Sequence, residues 1–202
     1  MKWRRALVVS LLALAACATP QQTHYYMLSG AASASAGVAG AAPAAGAAPA
    51  YGVAIGPVTV PEALDRQQIM LRVAPNRYAF SDTERWAESL KREIPRVIAE
   101  DVGQRLPAAR VAANFQYGGQ DADYRVLIDV LRFELVPGVS ATLEAAWSVR
   151  NRAGARLHEA RSVFVEKVNA AGVAPLVVAH EKALDALAQE IAAAVQALAR
   201  TK

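Results

Sequence analysis

The chain has 202 residues, of which 54% are hydrophobic and 20% are charged, and its formal net charge is +4. The hydrophobic fraction excludes a mostly disordered chain, and the length suits one domain with appendages. A single cysteine excludes a disulfide framework within the chain and any multi-cysteine metal site. The positive charge would indicate nucleic acid or an anionic membrane as a partner only if it belongs to the folded part.

The N-terminus has the pattern of a bacterial lipoprotein signal. Three cations within residues 2–5 precede an apolar run over residues 6–16, which is too short for a helix across the ~30 Å hydrocarbon core of a bilayer. The run ends in Leu14-Ala15-Ala16-Cys17, a lipobox. Its small residues fit the signal peptidase, and the Cys17 thiol accepts a diacylglyceryl group. We therefore predict a signal peptide at 1–16, a lipidated tether at 17–22 and one domain at 23–202.

Cleavage before Cys17 changes the charge of the protein. Residues 1–16 hold three cations and no acid, so their removal lowers the net charge from +4 to +1. The lower charge removes the argument for nucleic acid as a partner. Ala18 and Thr19 follow the cysteine, and no Asp is present there to retain a lipoprotein in the inner membrane. We expect an outer-membrane lipoprotein whose domain faces the periplasm.

The first elements after the tether are short. An aromatic-rich run predicts a strand at 23–28. Residues 30–50 are almost entirely Ala with Gly, Pro and Ser, so they cannot build a core and form either a linker or an inserted loop. Strands are predicted at 53–60 and 68–73. Ser81 and Glu84 have the spacing of a capping box, which predicts a helix that starts there and kinks or restarts at Pro95.

The second half of the chain reads as three strands and a helix. Residues 123–135 form a long and mostly apolar strand, which indicates a central position in the sheet. Alternation predicts a strand at 141–149, a hairpin loop at 151–154 and a return strand at 157–168. A helix at 174–199 carries an apolar seam that packs on the sheet or mediates self-association. The sum is a single α+β domain with a mainly antiparallel sheet and two principal helices.

No catalytic or metal-binding set is visible in the sequence. His180-Glu181 begins a zinc-protease motif, but its second histidine would stand at Leu184, so we expect His180 at a helix surface or in an interface. Asp121 and Asp123 lack the further oxygen ligands of a calcium loop. Cys17 is committed to lipid, so no thiol nucleophile remains. We predict that the protein is not an enzyme and needs no cofactor and no metal.

An ordered set of short motifs resembles the ABC-type transport auxiliary lipoproteins, the PqiC/YmbA-like family. The set covers nearly the whole mature chain, although the 30–50 insert is long and Pro95 interrupts a helix that is usually smooth. The matching positions are Tyr25–Leu28, Ile55–Val58, Val60, Pro61, Leu64–Ile69, Arg72, Asn76, Arg77, Arg85–Glu88, Leu90, Tyr124–Val126, Asp129–Glu134 and Trp147.

The resemblance implies a docking or anchoring subunit of an MCE-type lipid transport system between the two membranes. Its partner would be a periplasmic MCE-domain protein, and a ring-like homo-oligomer is compatible with that role. Arg66, Arg72, Trp86 and Glu88 are candidates for a partner interface or a structural network, with core packing as the alternative for Trp86. A tether of about 20 Å would hold the domain close to its membrane. The alternative function is a lipoprotein that carries acyl chains in its own cavity.

Overall fold

The computed structural model describes residues 21–30, 50–113 and 121–201, so the signal peptide, Cys17 and most of the 30–50 insert lie outside the described residues. The described part contains one eight-stranded sheet and two α-helices. The elements are β1 His24–Tyr26, β2 Tyr51–Thr59, a 3-10 turn Glu62–Leu64, β3 Gln68–Ala74, β4 Arg77–Trp86, α1 Leu90–Arg105, β5 Ala109–Ala113, β6 Tyr124–Val136, β7 Ser140–Asn151, β8 Arg156–Lys167 and α2 Ala174–Arg200.

The strand β6 is the centre of the sheet, as its apolar sequence predicted. One of its edges pairs with β7 along the whole strand, from Tyr124 to Val136. The other edge pairs with β2 up to Asp129 and with β3 at Leu135. The antiparallel β6–β7, β7–β8 and β3–β4 pairs have long registers, whereas the parallel pairs of β1, β2 and β3 are shorter. The predicted α+β class with a mainly antiparallel sheet is confirmed.

Both helices cover the same face of the sheet. The helix α1 contacts β2 and β5, α2 contacts β6, β7 and β8, and the two helices contact each other. Alternate residues of the strands point to this side, because successive side chains of a strand face opposite ways. The seam of α2 is buried against the sheet, which confirms the packing interpretation. The seam residues buried there include Val177, His180, Leu184, Leu187 and Ile191.

The predicted start of the first helix is wrong. Residues 77–86 form β4, which pairs antiparallel with β3, and α1 begins only at Leu90 after Ser89. The capping pattern is nevertheless real as a local contact: Ser81 Oγ accepts the backbone N–H of Glu84 at 3.0 Å. In β4 that contact sits in a bulge, because pairing with β3 keeps the chain extended on both sides. Tertiary pairing has overridden a local helix signal.

Two further differences concern α1 and β5. The helix α1 is continuous from Leu90 to Arg105, so Pro95 does not begin a second segment. At the second turn Pro95 removes a single N–H donor, which the rest of the helix tolerates. The short strand β5 was not predicted. By contrast, the predicted hairpin between β7 and β8 is present, and Gly154 has the positive φ of 87° that its turn requires.

Candidate functional site

The side of the sheet opposite the helices carries no layer of secondary structure in the described part of the chain. We call it the open face. Its side chains come from β3, β4, β6, β7 and β8, and the register of these strands places their outward residues next to one another. A row of charged and hydroxyl groups crosses it. The row consists of Arg72, Tyr78, Arg132, Glu134, Glu144 and Arg161.

The first half of the row surrounds Glu134, which is buried although it lies on the open face. Arg72 Nη1 donates to Glu134 Oε2 at 2.9 Å, and the Tyr78 hydroxyl donates to Glu134 Oε1 at 2.6 Å. Arg72 also donates to the carbonyl of Pro75 at 2.9 Å. The hydrogen bond to Glu134, together with burial, raises the pKa of Tyr78. Glu134 is thus covered by its own partners and is held in one orientation.

The second half of the row surrounds Glu144 on β7. Arg132 of β6 lies 2.8 Å from Glu144 Oε2, and Arg161 of β8 donates to Glu144 Oε1 from the other side. Hydrogen bonding by Arg161, followed by the charges of both arginines, lowers the pKa of Glu144. The side chains of Arg132 and Arg161 themselves stay more than half exposed. The row therefore presents fixed positive groups to solvent.

Exposed apolar side chains flank this charged row. Val163 and Val165 of β8 are 55% and 59% exposed, and Leu131 stands at the bulge of β6. On β4, Phe80 is also exposed. A polar network interleaved with exposed aliphatic and aromatic groups is the composition of many protein–protein interfaces. The open face therefore has the composition of a candidate binding surface.

The four predicted site residues fall in different places. Arg72 belongs to the row, and the Arg66 guanidinium lies 4.4 Å from the ring centroid of Phe80, at the margin of the open face. Trp86 is 3% exposed and packs edge-on against Phe133 at 6.1 Å, so it belongs to the core. Glu88 is exposed and pairs with Arg92 at 3.5 Å. The structure does not bring these four residues together.

Sequence reasoning missed the two acids that organise the open face. Glu134 and Glu144 stand inside strongly apolar strands, and each falls on the parity opposite to the core residues Phe133 and Leu143. An isolated acid at such a position requires a partner, because a buried carboxylate without one is costly. That signal could have been read from the strand alternation. The partner arginines could not, since they lie on other strands.

A second arrangement fastens the segment that follows the tether to both helices. Leu28 is buried in the core, and its N–H donates to Glu93 Oε2 at 3.1 Å while its carbonyl accepts from Arg96 at 2.5 Å. The N–H of Ser29 donates to Glu181 of α2 at 2.8 Å. The hydrogen bond with Glu93 raises the pKa of Arg96. Leu28 and Ser29 are thus held in place by side chains of both helices.

His180 is buried rather than exposed, so the expectation of a surface or interface position is wrong. Its ring stacks on Phe133 with centroids 3.6 Å apart and planes 6° from parallel. Complete burial lowers the pKa of His180 to about 3, and the backbone of Glu134 offsets only part of that shift. Among residues 21–30, 50–113 and 121–201, no group of three His, Cys, Asp or Glu side chains could hold a metal ion.

The fold and the open face define a class: a single-domain α+β protein with one helix-covered and one solvent-facing side of its sheet. Comparison with known proteins identifies the family within this class. Residues 31–192 match the family model described as ABC-type transport auxiliary lipoprotein component, and the chain belongs to that family. The protein is therefore a membrane-anchored periplasmic lipoprotein of a family that assists ABC-type transport.

Solved structures agree on the fold. The crystal structure of an uncharacterised protein is similar with a TM-score of 0.68 at 14% identity, over 86% of this chain and 99% of that chain. Protein XCC0632 from Xanthomonas campestris is similar with a TM-score of 0.62 at 16% identity, over 74% of this chain and 88% of its own. A search of curated proteins gave no match. None of the described helices is both long and apolar enough to cross a bilayer.

Proposed function

We propose that this protein is the outer-membrane docking subunit of an MCE-type lipid transport system, lipidated at Cys17, with a periplasmic MCE-domain protein as its partner. The observation that carries the proposal is the open face. It is the broad surface where exposed apolar groups and a fixed polar network occur together. Membership of a transport auxiliary family supports a binding role, and we infer that the protein acts without catalysis.

The charges of the open face indicate what kind of partner surface it fits. Glu134 and Glu144 are enclosed by their arginine and tyrosine partners, whereas Arg132 and Arg161 project outward. A partner therefore meets positive groups set among valine and leucine side chains. Acidic residues around an apolar centre would complement this pattern, and such charges favour fast and oriented association. The fixed rotamers of the row reduce the entropy that docking costs.

The outer membrane is part of the proposal because of the residues after the lipobox. Ala18 and Thr19 stand where an inner-membrane lipoprotein would carry its retention signal. A docking subunit on the outer membrane would receive the far end of a conduit that begins in the inner membrane. Fractionation of the two membranes followed by detection of this protein tests the assignment. Recovery with the inner membrane would contradict it.

Binding to the MCE-domain protein of the same genome tests the partner. The Val163→Asp variant places a charge on the open face, opposite Glu144 in the β7–β8 register, and Val178→Asp is the matched control, since Val178 is 50% exposed but lies on α2. Burying a charge in place of an apolar interface side chain costs at least about 1.4 kcal/mol, so we expect tenfold weaker binding for Val163→Asp and unchanged binding for the control. Absence of wild-type binding at micromolar concentration would contradict the proposal, as would equal loss in both variants.

A ring-like homo-oligomer is compatible with the same face. Native mass spectrometry of the wild type and of Val163→Asp separates the two uses of the surface. Loss of a homo-oligomer in the variant would assign the open face to contacts between copies. The alternative hypothesis, a carrier of acyl chains, needs a cavity for them. A cavity of about 480 Å³ opens at the surface at one end of the sheet.

A further inference from the structure

One end of the sheet gathers exposed apolar groups that the docking function does not use. The turn between β3 and β4 (Val73–Arg77) and the turn between β6 and β7 (Val136–Val139) meet there, because β3 and β6 run parallel and end side by side. We call these two turns the apolar end. They line the open cavity of about 480 Å³, to which Arg72 contributes a charged side chain. Val139 is 58% exposed and Val73 is 45% exposed.

Cations surround the apolar end. Arg77 begins β4 beside the first turn, and Lys167 ends β8 opposite Ser140, next to the second turn. Both side chains are exposed. Lys167 also lines a neighbouring cavity of about 300 Å³ with Val178 and Lys182 of α2, and Glu166 contributes one acid to the same lining. Glu166 lies opposite the core residue Ala141 and belongs to the helix-covered face. Apolar tips with a basic border match the interface of a bilayer that contains anionic lipids.

The direction of β1 places the lipid anchor on the same side. The strand β1 runs parallel to β4 with His24 opposite Glu84, so the chain before His24 arrives from the end at which β4 begins. That end is the apolar end. The register of β3 gives the distance from the level of β1 to the turn between β3 and β4. Gln68 lies opposite Arg85, and Ala74 at the turn is six residues further along, or about 20 Å.

The length of the tether fits this distance. Six residues lie between Cys17 and His24, and the seven Cα–Cα steps from one to the other span at most about 25 Å. Lipid attached to Cys17 can thus reach the level of the two turns and little beyond it. Pairing with β4 holds β1 on the sheet, and Leu28 and Ser29 hold the segment after it against the helices, so the tether is limited to the residues before His24.

We propose that the apolar end rests on the leaflet that holds the lipid anchor, with Val73 and Val139 inserted at the headgroup level and Arg77 and Lys167 among the headgroups. Anchor and apolar end together fix the orientation of the domain, with the sheet standing on the membrane and the open face free for a partner. The inference rests on the lipid anchor of the proposed function and does not depend on its transport partner.

Depth-dependent fluorescence quenching tests this orientation in the full lipoprotein. Because the Cys17 thiol is blocked by lipid, an introduced cysteine is the only free thiol of the mature chain and takes a single environment-sensitive label. The Val139→Cys variant reports on the apolar end, and Leu157→Cys is the control, since Leu157 is 40% exposed near the opposite end of β8. Vesicles contain about three parts phosphatidylethanolamine to one part phosphatidylglycerol, with a shallow spin-labelled lipid.

We expect quenching at least about threefold stronger at position 139 than at position 157, as insertion of about 5–10 Å into the interface requires. A Val73→Cys variant repeats the measurement on the other turn and protects against a local folding defect. Equal quenching at positions 139 and 157 would overturn the inference. Absence of quenching at both 139 and 73 would also overturn it, and that is the result expected if a protein or a single lipid occupies the cavity. An intact mass without acyl chains would overturn the anchor itself, whereas failure of the partner assay leaves quenching unaffected.

Discussion

Acid should destabilise this protein through one buried side chain, His180. Its ring is fully buried between α2 and β6, stacks on Phe133 and stays neutral in the folded state. Neither ring nitrogen has a well-aligned hydrogen-bond partner within the described part of the chain. In the unfolded chain the same imidazole is hydrated and accepts a proton with a pKa of about 6.5. The proton therefore binds preferentially to the unfolded state.

The sign and size of the pH effect on the free energy of unfolding follow from the difference between the folded and unfolded pKa values of His180. Folding lowers the pKa of His180 from 6.5 to about 3, so between these values the unfolded state binds one more proton. The free energy of unfolding rises with pH in that window, by about 1.4 kcal/mol per pH unit, and is level above it. At pH 5, which is 1.5 units below the unfolded pKa, the loss relative to pH 8 is about 2 kcal/mol.

Urea unfolding of wild type and of a His180→Leu variant at pH 8 and pH 5 measures this loss. Carboxylates titrate alike in both proteins and cancel in the comparison. We expect the wild type to lose about 2 kcal/mol more than His180→Leu between the two pH values. A His158→Gln control, which replaces an exposed histidine, should leave the wild-type loss in place. An equal loss in wild type and His180→Leu would refute the reasoning.

Three further substitutions test the structural assignments. Leu28→Ala should lower the free energy of unfolding by about 2–5 kcal/mol and expose the first segment to protease, since Leu28 fixes it in the core. Trp86→Ala should cost about 3–5 kcal/mol in denaturant unfolding, whereas Glu88→Gln at an exposed site should stay within about 0.5 kcal/mol; similar values for both would contradict the core position of Trp86. Arg96→Ala leaves the buried Glu93 carboxylate without its cation and should cost about 1–3 kcal/mol, seen as a lower melting temperature.

The sequence predicted those elements whose period is clear and whose ends carry turn residues. The strand β6 and the helix α2 fall close to their predicted bounds because each has an unbroken apolar pattern. The strand β4 was missed because its local signal favours a helix start at Ser81, and only pairing with β3 reveals the strand. His180 was misplaced for a related reason. The apolar seam shows on which face of the helix His180 lies, but whether that face is covered depends on tertiary packing.

The candidate site was harder to predict than the fold. Arg72 was chosen from a motif, and it does reach Glu134, but their contact depends on the register of β3 against β6. Trp86 was chosen for the same reason and is a core residue. Charged partners on neighbouring strands are set by register, and register is a property of the assembled sheet.

The buried acids of the open face limit how apolar the uncovered side of the sheet becomes. If Glu134 and Glu144 were apolar, Arg72, Arg132 and Arg161 would lose their carboxylate partners and the apolar area of the open face would grow, which would favour aggregation. Ion pairs at these positions contribute little net stability, because the cost of burying the charges offsets their attraction. What they provide is a hydrated row that divides the apolar surface into small patches. A face built in this way leaves exposed valine and leucine side chains set between charged groups.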